Sequence, residues 1–311
     1  MEGISIVLPT LNRTTFLTDT LDCLIVQEFA YPFEILVVDQ SDTYNHAIDE
    51  YQWKYPFIKY FHITFFKGLP EARNFGWAHA HYDYILYLDD DILCEKNLLE
   101  QHYKYITEEG IGIVAGGITE KYKKETEAKT GKFNYWTATP ERGFNKKGTM
   151  PVDHAGGGNF SIKKSVMKQV GGVDENLSKG AALFEETDLC LRAKEYGYEV
   201  LFSYDAHVYH LAADTGGCRI KDIDKYIFSL SRNRTIIIQR HLKWFYRITS
   251  YLYLCKLLLA YLFSYKKWSI ISSFIRGIKE GRSVAVEAPK CSGFDDLGFV
   301  EEYTETSIPD K

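Results

Sequence analysis

Residues 84–92 read Tyr84-Ile85-Leu86-Tyr87-Leu88-Asp89-Asp90-Asp91-Ile92, an apolar and aromatic run followed by three consecutive aspartates. The apolar run predicts a buried strand, and the aspartates follow where that strand ends. Adjacent carboxylates repel one another, and burial raises their pKa values unless water or a cation screens them. These residues alone leave two interpretations open: a bound divalent metal, or a solvated acidic turn with an aspartate capping a helix over 95–107.

Length and composition restrict the classes of protein that this chain can be. With 311 residues and 45% hydrophobic content, it can form one large α/β domain or a domain with a helical appendage. The net charge of −5 argues against a general nucleic-acid-binding surface. Six cysteines without a CxxC pair favour a reducing compartment and neither a zinc site nor a disulfide framework. No signal-peptide pattern opens the chain, so we expect a cytoplasmic protein.

The first third of the chain alternates short apolar runs with helical patterns. Strands are predicted at 4–8, 34–38, 59–63 and 84–88, and helices at 16–26, 45–55 and 70–79. This alternation is typical of βαβ units and predicts an α/β fold with a mainly parallel sheet and helices on both faces. Ligands bind such sheets beyond the carboxyl ends of the strands. Polar residues follow strands one, two and four there, so we expect a binding site at that edge.

Two later segments carry further candidates. Arg73 projects from a helix start behind Gly68 and Pro70, where a cation and free amides attract phosphate, although an ordinary surface arginine fits too. Residues 119–148 are rich in lysine, arginine and aromatic residues. They are interpreted either as a mobile loop that closes over a sugar or, by preference, as a solvated insertion.

A second acidic cluster follows a glycine-rich segment at 153–162. Glu185, Glu186 and Asp188 open a predicted helix, where the helix dipole favours acidic residues. Because they follow three consecutive glycines, they are also candidates for a general base. His210 ends a late strand, predicted together with another as 198–202 and 206–209, and is either a metal ligand or a structural histidine.

Taken together and in order, these motifs resemble family 2 glycosyltransferases of the GT-A fold over residues 4–238. The motifs that carry the resemblance are Ser5-Ile6-Val7-Leu8-Pro9-Thr10-Leu11-Asn12-Arg13, Val37-Val38-Asp39, Ala72-Arg73-Asn74-Phe75-Gly76, Leu88-Asp89-Asp90-Asp91, Gly157-Gly158-Asn159-Phe160, Glu185-Glu186-Thr187-Asp188 and Val208-Tyr209-His210. The resemblance implies an inverting, divalent-metal-dependent hexosyl- or deoxyhexosyltransferase. Its donor would be a nucleoside-diphosphate sugar, and its acceptor a hydroxyl group of a growing surface glycan or lipid-linked saccharide.

The resemblance also implies roles for individual residues. Asp91 and His210 would hold Mn²⁺ or Mg²⁺, and Glu186 or Asp188 would be the catalytic base. Glu186 is preferred, although the family usually has an aspartate there. The residues that would bind the donor nucleotide are Pro9, Thr10, Asn12, Arg13, Asp39, Arg73, Asp89 and Asp90. Those that would contact the acceptor or the diphosphate are Gly157, Gly158, Asn159, Glu185 and Arg234.

Two other classes of protein remain alternatives at this point. A sugar-phosphate nucleotidyltransferase could use a related sheet, but it would have a glycine-rich loop after strand one, and residues 9–13 contain no glycine. A non-catalytic nucleotide-sugar or glycan-binding protein could share the fold with a purely structural acidic helix start.

The C-terminal third changes in composition. We expect a catalytic domain over 1–242, a helical extension over 243–281 and a loosely ordered tail over 282–311. Arg247 and Lys256 interrupt the apolar, aromatic segment of the extension. A helix lying in the membrane interface is therefore preferred to a spanning one. This would place the protein at the cytoplasmic face of a membrane, while packing in a homodimer is the alternative.

Overall fold

A computed structural model of the chain describes residues 1–121, 129–212 and 220–292. The strands are β1 Ile4–Thr10, β2 Phe33–Asp39, β3 Ile58–His62, β4 Tyr84–Leu88, β5 Ile92–Cys94, β6 Ile111–Glu120, β7 Thr130–Asn134, β8 Thr139–Arg142, β9 Thr149–Val152, β10 Asn159–Lys163 and β11 Glu199–His210. The α-helices are α1 Thr14–Leu24, α2 Asp49–Lys54, α3 Leu69–His79, α4 Leu98–Ile106, α5 Lys164–Val170, α6 Glu185–Glu195, α7 Ile223–His241, α8 Trp244–Tyr265 and α9 Ser269–Val284.

One mixed sheet runs through the molecule in the order β3-β2-β1-β4-β10-β6-β11-β5, with β9 paired to β11. The pairs β3–β2, β2–β1 and β1–β4 are parallel, whereas β10 is antiparallel to both of its neighbours. Side chains of β4 alternate between two hydrophobic clusters on opposite faces: Ile85 and Tyr87 pack with α3, α5 and α6, and Leu86 and Leu88 pack with α1 and α4. The predicted α/β fold with helices on both faces is therefore confirmed.

The strand register places the predicted polar groups at one edge of the sheet. Thr10 pairs with Asp39 at the carboxyl ends of β1 and β2, and Asp89 follows directly after β4. At the other end of the strand order, His210 of β11 pairs with Ile92 of β5, one residue after the aspartate triplet. The two late strands predicted at 198–202 and 206–209 are one strand, in which a register shift between Ser203 and His207 bends the backbone.

The basic, aromatic segment is folded where the structure describes it, over residues 129–148. It forms a β7–β8 hairpin, in which Phe133 is buried and Phe144 follows β8 into the core. The ring of Trp136 contacts Tyr246 of α8 edge to face, with 4.8 Å between ring centroids. The preferred interpretation as a solvated insertion is wrong for these residues, because their apolar side chains bury against helices that come later in the chain. Residues 122–128 lie outside the described part.

The C-terminal helices α8 and α9 confirm the predicted helical extension. They share one hydrophobic cluster with α7 and with the hairpin, through Phe133, Ile237, Leu254 and Phe274. This cluster crosses residue 242, at which we expected the catalytic domain to end. The expected loose tail is also wrong for residues 282–292, because α9 continues to Val284 and residues 287–292 are hydrogen-bonded to the domain. The remainder of that tail, 293–311, is not among the described residues.

Candidate active site

A cleft opens at the carboxyl edge of the sheet and consists of two adjoining cavities. The larger has a volume of about 910 Å³ and the smaller about 450 Å³. Both are lined by Asp89, Arg142 and His210, so they form one continuous space. We call the larger one, which reaches Thr10, the donor cavity, and the smaller one, which reaches Glu186, the base cavity.

Asp90, the middle aspartate of the triplet, binds protein groups. It accepts hydrogen bonds from Thr10 Oγ1 at 2.6 Å and from Arg13 Nη1 at 2.7 Å. Burial raises the pKa of Asp90 to about 6, although the charge of Arg13 and the hydrogen bond from Thr10 act against the rise. Thr10 and Arg13 were both predicted to bind the nucleotide, and both line the donor cavity together with Pro9.

Asp89, Asp91 and His210 form a cluster in which one ligand atom from each lies within 4.8 Å of the others. His210 Nε2 is 3.1 Å from Asp91 Oδ1 and 3.6 Å from Asp89 Oδ2. Burial acts to lower the pKa of His210, but the two carboxylates outweigh it and raise that pKa. Two carboxylate oxygens and an imidazole nitrogen suit Mn²⁺, and the carboxylates also suit Mg²⁺. The residues present therefore fit the divalent cation that was expected at Asp91 and His210.

Across the cleft, the start of α6 presents Glu186 to the base cavity. Phe184, directly before the helix, has φ 72°, a left-handed conformation that is strained for a bulky residue and turns the chain sharply into α6. The Glu186 carboxylate lies 3.8 Å from Arg142 Nη2, and Gly157 lines the same cavity. A carboxylate beside a half-exposed cation can accept a proton from a bound hydroxyl group.

Arg73 supports this side of the cleft. Its guanidinium is bound to the buried carboxylate of Glu185 and donates to the Gly157 carbonyl at 2.7 Å. It also lies over the rings of Tyr87 and Phe160, 5.6 and 5.3 Å from their centroids. Arg73 is only 1% exposed. It lines the base cavity and not the donor cavity, so the structure does not place it where the sequence predicted a nucleotide contact.

Asp188 lies apart from the cleft. Its carboxylate accepts from Arg192 Nε at 2.7 Å and lies 2.9 Å from His241 Nε2. Burial acts to raise the pKa of Asp188, but Arg192 and His241 outweigh it and hold that pKa far below its usual range. Asp188 lines neither cavity. The second candidate for the base is thus a buried ion-pair partner, because two positions further along a helix is nearly the opposite face.

Two residues predicted to contact the acceptor or the diphosphate also lie elsewhere. Asn159 is fully buried, and its Nδ2 donates to the carbonyls of Gly117 and Ala206. Its Oδ1 lies 2.8 Å from His102 Nε2. Arg234 donates to the Thr137 carbonyl at 2.8 Å. Asn159 therefore joins neighbouring strands, and Arg234 joins α7 to the hairpin. Of that predicted group, Gly157, Gly158 and Glu185 line the base cavity.

Two residues that were predicted to bind the nucleotide form hydrogen bonds to other parts of the protein, Asp39 through its carboxylate and Asn12 through its backbone amide. The Asp39 carboxylate accepts from the Ser41 amide at 2.8 Å and from Tyr60 Oη at 2.7 Å. Asn12 has φ 57°, and its amide donates to Ser41 Oγ at 2.7 Å. Neither Asp39 nor Asn12 lines the donor cavity, whereas Gln40, the neighbour of Asp39, does.

Sequence reasoning missed several residues that line the cleft. Gln40 exchanges two hydrogen bonds with the backbone of Gly68, at 2.9 and 2.7 Å, and so fixes the start of α3. Its position after strand two was a signal that could have found it. Arg142 and Lys290 come from segments without a periodic pattern, and only the tertiary fold brings them to the cleft.

Comparison with known proteins agrees with this architecture. The model of the family described as Glycosyl transferase family 2 matches residues 5–171. A probable glycosyltransferase of Bacillus subtilis, YdaM, is 29% identical over 225 residues, which are 65% of this chain and 49% of that protein. The chain thus matches about half of that relative's length.

Solved structures show the same fold. The S. aureus protein TarS, residues 1–349 in complex with UDP-GlcNAc, has a TM-score of 0.61 at 16% identity, covering 92% of this chain and 82% of TarS 1–349. The mannosyltransferase PcManGT of Pyrobaculum calidifontis, in complex with GDP-Man and Mn²⁺, has a TM-score of 0.55 at 13% identity, covering 92% and 88%.

Proposed function

The chain belongs to glycosyl transferase family 2, and we propose that it is an inverting, divalent-metal-dependent glycosyltransferase that uses a nucleoside-diphosphate sugar. The observation that carries this proposal is one cleft with two separated acidic sites. Asp89, Asp91 and His210 line the donor cavity, and Glu186 lines the adjoining base cavity. Two fold neighbours crystallised with UDP-GlcNAc or with GDP-Man and Mn²⁺ support the class of donor.

The proposed chemistry needs one base and one displacement. The acceptor hydroxyl group loses its proton to Glu186 as its oxygen bonds to the anomeric carbon, and the bond from that carbon to the diphosphate breaks. Attack opposite the leaving group inverts the anomeric configuration. Arg142 Nη2 lies 3.8 Å from the Glu186 carboxylate and lines the same cavity. When bound by Asp89, Asp91 and His210, a divalent cation supplies positive charge against the departing diphosphate.

The exposed apolar surface of α8 supports the proposal that the acceptor lies at a membrane. This helix is long and apolar enough to cross a bilayer by length and composition. However, Leu254 packs one side of it onto the domain, while Ile248, Leu252 and Phe263 are 55%, 66% and 82% exposed on the other. A helix with one packed and one exposed apolar face suits peripheral insertion. We therefore place the protein at the cytoplasmic face of a membrane, acting on a lipid-linked or surface glycan.

The variant Asp91→Asn tests the metal site. It keeps the size of a side chain that is 1% exposed, but it replaces a charged oxygen ligand with a neutral amide. We expect Mn²⁺ to increase the thermal stabilisation of the wild type by UDP, dTDP or GDP, since a ligand that binds only the native state raises its melting temperature. The variant should lose this increment, and transfer should fall about 100-fold.

Asp19→Asn is the matched control, because Asp19 is an exposed carboxylate of α1 outside both cavities. It should behave as the wild type does. Undiminished transfer by Asp91→Asn would remove the metal role assigned to this cluster.

A further inference from the structure

The segment that follows α9, residues 287–292, is bound along one side of the donor cavity, and we call it the C-terminal strap. Three backbone hydrogen bonds of 2.8 Å attach it to the loop after α5. The Glu175 amide donates to the Lys290 carbonyl, the Lys290 amide donates to Asp174 Oδ1, and the Ser292 amide donates to Glu175 Oε1. Because both its amide and its carbonyl are hydrogen-bonded, the backbone of Lys290 is fixed.

Further contacts anchor the strap at both ends. Arg240 of α7 donates to the Glu287 carbonyl at 3.1 Å and is also bound to Asp174. Near the other end, the half-buried Cys291 packs against the main hydrophobic cluster beside Gly172. The strap is therefore a built part of the cavity wall.

Glu175 connects the strap to the helix that borders the cleft. Its carboxylate accepts from Asn74 Nδ2 of α3 at 3.0 Å, and it also accepts from the Ser292 hydroxyl group. Glu175 and Lys290 both line the donor cavity, as does Glu71 of the same helix α3. The strap thus holds the backbone of Lys290 at a defined position in the cavity that the aspartate triplet also lines.

Within the described part of the chain, Lys290 differs from the other cations of this cavity in having no carboxylate at ion-pair distance. Arg13 is paired with Asp90 at 2.7 Å, and Lys179 and Arg232 are paired with Glu280 at 2.6 and 2.7 Å. Among residues 1–121, 129–212 and 220–292, no carboxylate forms an ion pair with the exposed Lys290 ammonium group. Two carboxylates that line the same cavity are bound by neutral donors: Ser178 binds Glu71, and Asn74 and Ser292 bind Glu175. Burial raises the pKa of Glu71, and the charge of Lys290 acts against that rise from beyond ion-pair distance.

We propose that Lys290 binds the donor, and that its ammonium group contacts the phosphate oxygens of a nucleoside diphosphate in the donor cavity. This rests on the proposed function, which supplies the ligand. Lys290 lines a cavity of about 910 Å³ that the Asp89, Asp91 and His210 cluster also lines, and its ammonium pairs with no carboxylate of the described residues. A cation in this setting suits a polyanion. The C-terminal strap is then part of the donor site, although it lies more than 100 residues beyond the segment 5–171 that the family model matches.

The test measures nucleoside-diphosphate affinity by titration calorimetry on the full chain with Mn²⁺ present. The ligand is whichever of UDP, dTDP and GDP binds the wild type most tightly. Lys290→Ala should bind it about fivefold to tenfold more weakly, and Lys290→Glu more weakly still. Lys290→Arg should retain most of the affinity. Lys279→Glu is the matched control, because Lys279 is an exposed lysine of α9 that lines neither cavity.

Ionic strength separates a direct phosphate contact from a structural role. If Lys290 contacts phosphate, the affinity of Lys290→Ala falls less steeply with added salt than that of the wild type. Its melting temperature without ligand should stay that of the wild type, because the side chain is exposed. Lys290→Ala that binds as tightly as the wild type, or Lys279→Glu that loses as much affinity as Lys290→Glu, overturns the role of Lys290 and leaves the proposed function standing. Failure of all three nucleotides to bind the wild type overturns the proposed function as well.

Discussion

At the scale of single residues, neighbours in sequence have separate roles. Asp90 binds Thr10 and Arg13, whereas Asp89 lies 3.6 Å from His210 Nε2. Asp91 lies between the two groups, 3.1 Å from His210 Nε2 and 3.5 Å from Arg13 Nη1. The same separation occurs at the start of α6, where Glu186 lines the cleft and Asp188 is fully buried beside His241. Side-chain direction, and not residue type, decides which carboxylate is available for chemistry.

His241 makes the stability of the protein depend on pH. Burial acts to lower its pKa, but hydrogen bonds to Asp188 and Glu195, at 2.9 and 2.8 Å, raise that pKa to about 9. The unfolded value is about 6.5. The stabilisation by protonated His241 is therefore complete below about pH 6.5 and is lost as pH rises through about 9. Arg240 Nη1 lies 3.8 Å from the same Asp188 carboxylate.

We expect the free energy of unfolding, measured in urea, to fall between about pH 6.5 and 9. His241→Gln should be less stable at pH 6.5 and should show a flatter profile over this window, because glutamine does not titrate. A variant profile as steep as that of the wild type would show that other groups cause the pH dependence.

At the scale of elements, helix α8 carries the test of membrane contact. Trp244 and Trp268 flank it with 72% and 79% exposure, and Lys243, Lys256 and Lys266 are exposed along it. Aromatic rings at the headgroup level and lysines facing anionic lipids favour interfacial binding. We expect the full chain to sediment with vesicles that contain anionic lipid, and less so at high salt.

The double variant Leu252→Glu and Phe263→Glu should lose most of this binding, since it places charge on the exposed apolar face. Trp53→Glu is the matched control, because Trp53 is 85% exposed on α2, a different helix. Wild-type protein that stays in the supernatant with every vesicle composition would contradict peripheral membrane contact and would favour packing between copies of the chain.

Sequence predicted elements well where local periodicity decided them. The strands and helices of the first third follow from alternating apolar runs whose period is local, although their side chains also pack against later residues such as Phe160 and Leu189. The β7–β8 hairpin was missed because Phe133 buries against α7 and α8, about 100 residues later in the chain. The strap was missed because backbone hydrogen bonds to Asp174 and Glu175 hold it, and these leave no periodic pattern.

For the candidate site, the sequence located the two acidic groups but not all of the side chains around them. Motifs located both acidic groups. The aspartate triplet follows a strand at the edge where ligands bind, and Glu186 opens a helix after a glycine-rich segment. They could not show that Asn159 and Asp188 face inward, because a buried hydrogen-bonding role and a role in the cleft use the same residue types. Arg142 and Lys290 reach the cleft through tertiary contacts that no local spacing encodes.

At the scale of the whole molecule, the two acidic sites meet because distant parts of the chain form one cleft. The candidate cation ligands come from the residues after β4 and the end of β11, and the proposed base comes from the start of α6. Loop residues Ala181 and Leu183 line both cavities and so connect the two halves. The proposed inverting reaction uses this arrangement, because its acceptor approaches the sugar from the side opposite the diphosphate.

The most direct test of this account is the variant Glu186→Gln, which has nearly the same shape as the wild type but cannot accept a proton. Transfer from the bound donor to the acceptor should fall by about 100-fold to 10,000-fold. Affinity for the nucleoside diphosphate with Mn²⁺ should stay that of the wild type, since Glu186 lines only the base cavity. Transfer at the wild-type rate by Glu186→Gln would contradict the assignment of the base and would favour a protein that binds nucleotide sugars without this chemistry.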